Sequence, residues 1–257
     1  MNLITSRDNP QVKAWRRLAQ ETTAYRKAGQ FWLEGDHLCR AAVERGVRPL
    51  QLVLCASFYE EQGQQWAGLT DQLFVLPDAL FASLSGLESP ARMGFVVAWA
   101  AEKPVLPDVS TVILDRLQDA GNVGTILRCA SAFGYRQVLA IKGTAALWSP
   151  KVLRAGMGAH FGLHLVESVS NNDIAALSVP VLTTSSHEGP FLHELLQRGE
   201  LPQKCAWVFG HEGQGVSDSL MALAHQKVRI AQPGGEESLN VATAAAICLH
   251  ASATADV

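Results

Sequence analysis

Residues 207–251 place two glycine-bearing loops at the ends of apolar strands. The first is Phe209-Gly210-His211-Glu212-Gly213-Gln214-Gly215. The second, Gln232-Pro233-Gly234-Gly235-Glu236-Glu237, follows Val228-Arg229-Ile230 and leads through Ser238-Leu239-Asn240 into an alanine-rich helix over 241–251. Glycine loops beyond strand ends are how an α/β protein builds a ligand site from backbone groups. That arrangement limits both the architecture and the place to look for chemistry.

The rest of the chain alternates in the same way. Asn9-Pro10 starts a helix, an Asn cap followed by proline at the first helical position. Val12, Trp15, Leu18 and Ala19 recur at helical spacing and turn Lys13, Arg16 and Arg17 to the other side. Strands are expected over 31–33, 50–55, 73–76 and 95–100, with helices over 36–45, 58–67 and 79–84. The stretch Ala101-Glu102-Lys103-Pro104-Val105-Leu106-Pro107-Asp108, with two prolines and mixed charge, is the expected linker. Domains are therefore expected over 1–103 and 104–257. The second reads strand-then-helix more regularly. Its strands fall over 111–114, 137–141, 163–166, 179–183, 206–209 and 227–230. Its helices fall over 123–133, 151–158, 174–177, 191–198, 218–224 and 241–251. This alternation implies a largely parallel sheet covered on both faces.

The formal net charge of -3 argues against a protein coated in positive charge, yet residues 1–50 hold nine Lys/Arg against five acids. A basic end on an acidic body fits a polyanion-binding surface, and a solvated helix face equally well. Five scattered cysteines with no CxxC point to a reducing compartment rather than a zinc site or disulfide framework. No signal-peptide core or membrane span is read, so the expectation is a cytoplasmic protein with no membrane partner.

Several site chemistries drop out. Asp119-Ala120-Gly121-Asn122-Val123-Gly124 lacks the dinucleotide spacing, and Gly63 to Gly68 is followed by Leu69 rather than Lys-Ser/Thr. His193-Glu194-Leu195-Leu196-Gln197 ends in Gln where a zincin needs its second His, and no Gly-x-Ser-x-Gly elbow exists. No metal site is expected. What remains is the turn Leu114-Asp115-Arg116-Leu117-Gln118-Asp119-Ala120-Gly121-Asn122-Val123-Gly124. It enters a helix that Asn122 is suited to cap and that carries Arg128 among Ile126, Leu127, Cys129 and Ala130. An arginine in apolar company needs an anion or a set of acceptors. A structural bridge to Asp115 or Asp119 is the alternative.

Three blocks together resemble the SpoU/TrmH-type branch of the SPOUT RNA methyltransferases. They are Leu114-Asp115 through Asn122-x-Gly124-x-x-x-Arg128, then Phe209 through Gly215, then Ile230 through Glu237-Ser238-Leu239-Asn240-Val241 with its helix. The resemblance covers residues 110–251. More loosely, residues 1–100 resemble the L30e-like RNA-binding domain that precedes the catalytic domain in many members. The opening Ile4-Thr5-Ser6-Arg7-Asp8-Asn9-Pro10, with Phe31 to Gly35, is similar to members acting on large-subunit ribosomal RNA.

The resemblance implies a C-terminal SPOUT α/β domain with a deep trefoil knot. It implies S-adenosylmethionine held by Gly210, Ile230 and Leu239, with Thr183 and Thr184 near the site, and methyl transfer to a ribose 2′-hydroxyl. Arg128, Asn122, Glu212, Ser238 and Asn240 match the family's catalytic positions. Arg128 is implied to perform or assist deprotonation. An arginine stays protonated, so holding the adjacent phosphate and stabilising the developing alkoxide is the safer role. Asn122 and Glu212 would orient Arg128 and the ribose, and Ser238 and Asn240 would line the transfer site. Asn240 also suits a helix cap. Arg7, Lys13, Arg16, Arg17, Arg26 and Lys27 are the expected RNA-binding face, with ribosomal preferred over transfer RNA. A homodimer through the C-terminal domain is implied as well. A non-catalytic RNA-binding or ribosome-assembly protein is the competing class. Two departures from the family pattern stand out: Ala231-Gln232-Pro233-Gly234-Gly235 replaces a Pro-Met-containing segment, and His211 replaces a smaller or acidic residue.

Overall fold

In the computed structural model, residues 1–86, 89–100, 103–234 and 238–255 are described, and the chain divides into two units. The first comprises Met1–Ala101 together with Trp148–Phe161. It runs β1 (Asn2–Leu3), α1 (Pro10–Gln20), α2 (Ala24–Ala28), β2 (Gln30–Glu34), α3 (Asp36–Glu44), β3 (Gln51–Cys55), α4 (Ala56–Trp66), β4 (Leu73–Leu76), α5 (Asp78–Ala82) and β5 (Met93–Ala98). The strands form a mixed sheet in the order β1-β4-β3-β5-β2. β3 runs parallel to β4 and antiparallel to β5. α1 starts as its sequence requires. Asn9 Oδ1 accepts from Gln11 N at 2.8 Å, Pro10 occupies the first turn, and Val12, Trp15, Leu18 and Ala19 are buried. β1 and α2 are additions to the sequence expectation. Two residues or one and a half turns carry too little periodicity to stand out.

The second unit comprises Glu102–Leu147 and Gly162–Val257. It opens with β6 (Thr111–Asp115), α6 (Ala120–Ala132) and β7 (Gln137–Ile141). Then comes α7 (Pro150–Gly156), which belongs with the first unit, where Trp148 packs on Phe31 at 4.7 Å between ring centroids. The sequence expectation had kept this helix with the second domain. Local amphipathicity specifies that a helix covers something apolar, not which sheet it covers. The second unit resumes with β8 (His164–Val169), α8 (Asn171–Ala175), β9 (Val181–Thr184), α9 (Leu192–Arg198), β10 (Ala206–Gly210), α10 (Asp218–Met221), β11 (Gln226–Val228) and α11 (Val241–Ala253).

These strands form a six-stranded sheet, β11-β9-β10-β6-β7-β8, in which every described pairing is parallel. Ile113, Leu139, Val166, Val181 and Val208 build a core with Ile174 of α8 and Leu220 of α10. α6 and α11 pack on one another, and Trp207 Nε1 of β10 donates to Ser252 Oγ of α11 at 2.9 Å. β9 starts two residues later than expected because Pro180 has no N–H to give the ladder. Its carbonyl instead accepts from Ala206 N. Of the expected linker, Ala101 and Glu102 lie outside the described residues, and 103–110 contains no helix or strand. Gly235, Glu236 and Glu237 of the second glycine loop also lie outside. Among the described residues no helix is long and apolar enough to cross a membrane.

Candidate functional site

β6 and β10 are parallel neighbours with Gly210 opposite Asp115, so the loops leaving their C-terminal ends emerge side by side. The chain builds β7 and β8 on one side of β6 and returns to place β9, β10 and β11 on the other. A parallel sheet opens a crevice at such a reversal.

The two loops are tied by side chains. Asp115, 1% exposed, accepts from Arg116 Nε at 2.9 Å and from Ser217 N at 2.7 Å. Arg116 also donates through a terminal nitrogen to Gln214 Oε1 at 3.1 Å. It does so from φ 59, a conformation that favours glycine. Glu212 reaches back across the gap. Its carboxylate accepts from Gln118 N at 3.2 Å, Asp119 N at 3.1 Å and Asn122 Nδ2 at 3.2 Å. Partial burial works to raise the Glu212 pKa. The hydrogen bonds from the backbone and from Asn122 outweigh it and leave the carboxyl below its ordinary value.

Asn122 does not cap α6. Asp119 does, accepting from Asn122 N at 2.7 Å, because the helix begins three residues earlier than the apolar pattern indicates. The Asn122 side chain is thereby left to the network: Nδ2 donates to Glu212, and Oδ1 accepts from Asn240 Nδ2 at 3.0 Å. Asn240 caps α11, its Oδ1 accepting from Ala242 N and Thr243 N. One directed chain of hydrogen bonds therefore runs from the first turn of α11 through Asn240 and Asn122 to a carboxylate.

Beside it lies a cavity of about 720 Å³, within the range of small-molecule sites. Gly210, Ile230, Leu239, Thr184, Glu212, Ser238 and Asn240 all line it. Thr183 does not. Successive strand side chains point to opposite faces, and Thr183 is fully buried in the sheet. Gly210 is required by its loop, since a Cβ there would lie 2.1 Å from backbone atoms of Gly215 and Val216. His211 is part of the loop's own architecture. Its Nδ1 accepts from Gly213 N at 3.0 Å and Gln214 N at 3.3 Å, shaping the loop from within.

Arg128 departs from the expectation of an apolar setting. Gly121, Thr125, Arg128 and Ala132 form the exposed stripe of α6, while Val123, Ile126, Leu127 and Ala130 are buried. Neighbours in sequence stand 100° apart on a helix, so apolar flanks do not bury a residue. Arg128 does not line the cavity and has no hydrogen bond or ion pair to a described residue. The bridges to Asp115 and Asp119 are absent, both carboxylates being engaged by the groups above.

In the first unit, Arg7 and Lys27 are exposed. Lys13 pairs with Asp8 at 3.0 Å and Arg17 with Glu21 at 2.9 Å. Arg16 donates to Ser83 O and Oγ, and Arg26 lies over the Tyr25 ring at 5.5 Å. Among the described residues no His/Cys/Asp/Glu cluster could hold a metal ion.

Arg116, His211 and Gln232 carry no sequence expectation as site residues, and Asp115 and Asp119, expected only as bridge partners of Arg128, instead brace the two loops and cap α6. An Asp-Arg pair where an apolar strand ends, and an Asp at the start of a turn, are the signals that were there to read.

The model of the SpoU rRNA Methylase family matches residues 110–250, and that of the MRM3-like substrate binding domain matches residues 9–94. The 23S rRNA (guanosine(2553)-2′-O)-methyltransferase of Bacillus subtilis is 29% identical over 97% of this chain and 98% of its own. The 23S rRNA (uridine(2479)-2′-O)-methyltransferase of Streptomyces viridochromogenes is 27% identical over 96% of this chain and 90% of its own. Among solved structures, a TrmH-family protein from Porphyromonas gingivalis superposes with a TM-score of 0.81 at 28% identity, covering 95% of this chain and 97% of that one. An RNA 2′-O ribose methyltransferase superposes at 0.78 with 27% identity, covering 97% of each chain. The sheet order, the paired loops and these matches agree: the chain belongs to the SpoU rRNA methylase family.

Proposed function

We propose that this protein transfers a methyl group from S-adenosylmethionine to a ribose 2′-hydroxyl of large-subunit ribosomal RNA. The observation that carries the reading is the Asn240–Asn122–Glu212 chain on the rim of the glycine-loop cavity, which draws together residues from three separated blocks. The two relatives named above act on 23S rRNA, one at a guanosine and one at a uridine, which supports the RNA class and leaves the base open.

The cavity fits the methyl donor on its own terms. Its volume suits an adenosyl amino acid, and its glycine loops offer backbone N–H and C=O groups. Gly210, Ile230, Leu239 and Thr184 are its proposed holding residues. When bound, the donor supplies an activated methyl group. The protein's work is then alignment of the hydroxyl and management of its charge. Glu212 remains ionised at neutral pH and, through Asn122, fixes the orientation of the α6 turn. Ser238 and Asn240 line the cavity and are the proposed contacts of the acceptor ribose. Arg128, exposed and unpaired among described residues, is available to hold the RNA phosphate beside the target and to stabilise the developing alkoxide.

The first unit serves as the RNA-holding domain, with Arg7, Lys13, Arg16, Arg17, Arg26 and Lys27 as its contact set. Four of these already lean on neighbours (Lys13 on Asp8, Arg17 on Glu21, Arg16 on Ser83 and Arg26 on Tyr25), so their contacts with RNA are of modest strength. A homodimer through α11 completes the reading, supported by small residues along the helix and by Ile247, 38% exposed on it. A knotted C-terminal domain and a cytoplasmic location belong to the same reading.

The test is transfer of labelled methyl groups from S-adenosylmethionine into purified ribosomal RNA, followed by mapping of 2′-O-methylation with and without the protein. Cofactor binding with no transfer into any RNA fraction would favour a non-catalytic RNA-binding protein.

A further inference from the structure

The chain leaves the second unit after Leu147 and re-enters it at Gly162, and α7 is carried on that excursion. Trp148 holds the segment in the first unit, packing on Phe31 of β2 at 4.7 Å and on His160 at 5.3 Å between ring centroids. Ser149 Oγ then accepts from Val152 N at 3.4 Å and starts the helix. Val152, Leu153 and Gly156 are buried, while Lys151 and Arg154 emerge three residues apart on one side. Lys151 is exposed and Arg154 half-buried, and neither side chain makes a hydrogen bond or ion pair with a described residue.

What α7 packs against gives those two cations a meaning. It lies on β2, an edge strand of the sheet, and on α1, and both α1 and α2 pack on β2 as well. The spans of α1, α2 and α7 hold seven Lys/Arg and no Asp or Glu. Those of α3, α4 and α5, in the same unit, hold five Asp/Glu and one Arg. A solvated helix matches its cations with acids one turn away, as Arg40 does with Asp36 at 2.8 Å on α3. Here the two acids flanking α1, Asp8 and Glu21, are already taken by Lys13 and Arg17. Gathering like charges costs free energy in the free protein, and a polyanion laid against them offsets that cost. We infer that α7 is part of the RNA-holding surface, with Lys151 and Arg154 engaging the phosphodiester backbone of the substrate beside the cations of α1 and α2. The inference rests on the proposed action on RNA and extends its contact set to a helix from the other half of the chain. Arg154 suits a bidentate phosphate contact and Lys151 a point contact, and neither reads sequence.

The experiment is filter binding of the full chain to deproteinised large-subunit ribosomal RNA over about 50–200 mM salt. The double variant Lys151→Gln/Arg154→Gln should bind about tenfold more weakly at the low end, and its slope of log affinity against log salt should fall by roughly two. The charge-keeping Lys151→Arg/Arg154→Lys should hold the wild-type slope. Arg45→Gln/Arg48→Gln removes two exposed cations beyond the end of α3, with the same change in net charge, and should leave the slope nearly unchanged. Thermal midpoints and S-adenosylmethionine affinity should match wild type in all three variants. A wild-type slope in Lys151→Gln/Arg154→Gln would overturn the assignment of α7, and so would an equal loss in Arg45→Gln/Arg48→Gln. Failure of the wild-type protein to bind the RNA at all would instead sink the RNA reading on which the inference rests.

Discussion

Asn122 Oδ1 accepts a hydrogen bond from Asn240 Nδ2 at 3.0 Å, joining residues 118 positions apart in the chain. Each asparagine has its other end engaged, Asn122 on Glu212 and Asn240 on the first turn of α11. Both side-chain orientations are thereby specified, since reversing either amide would set donor against donor or acceptor against acceptor.

Two neighbouring residues of α6 should separate stability from catalysis. Asp119→Ala removes the helix cap and should cost about 1 kcal/mol of unfolding free energy. Asn122→Ala leaves the cap in place, so it should cost less stability and reduce methyl transfer by at least tenfold. Urea unfolding alongside a transfer assay checks the pair, and the opposite ranking would restore Asn122 as the structural cap.

Glu212→Gln should destabilise by about 1 kcal/mol at neutral pH, because an amide cannot accept from all three donors that now face the carboxylate. The folded-state pKa is held below the ordinary glutamate value, so this stabilisation is complete above the unfolded pKa of about 4.3 and fades as pH falls through the lower folded value. The wild-type to variant difference should be flat from pH 7 to about 5 and shrink below about 4. A difference that grew on acidification would contradict the assignment.

Gly210→Ala should distort the first glycine loop. The added methyl would lie 2.1 Å from the backbone of Gly215 and Val216, and neither is the movable end of a side chain. Loss of about 1–3 kcal/mol of stability, together with loss of S-adenosylmethionine binding, is expected in thermal unfolding and titration.

Arg128→Ala should leave stability within about 0.5 kcal/mol of wild type, since the side chain is exposed and bonds no described residue. Cofactor affinity should likewise stay put while transfer falls by about two orders of magnitude or more. Equal loss of affinity and transfer would mark Arg128 as a structural residue.

Much of this was legible in the sequence because it is local. The α1 start at Asn9-Pro10, the burial of Val12, Trp15 and Leu18, and the parallel reading of the second sheet follow from capping chemistry and from periods of 3.6 and 2. The exposure of Arg128 was hidden by apolar neighbours that point elsewhere on the helix. The cap was misplaced on Asn122 because Ala120 and Gly121 lack the apolar signal that marks a helical turn. Thr183 and Thr184 look alike in sequence, and only strand alternation puts one in the sheet and the other on the cavity.

By itself, then, the sequence determined which segments become strands and helices and where its glycines permit loops to bend, because those choices depend on residues within a few positions of one another. The tertiary structure alone decided what the loops do. Pairing β6 with β10 sets Glu212 against Asn122, and Asn122 against Asn240. The tertiary fold also sets α7 with the first unit. Hydrogen bonds between residues a hundred positions apart depend on strand order and register, and no local period encodes either.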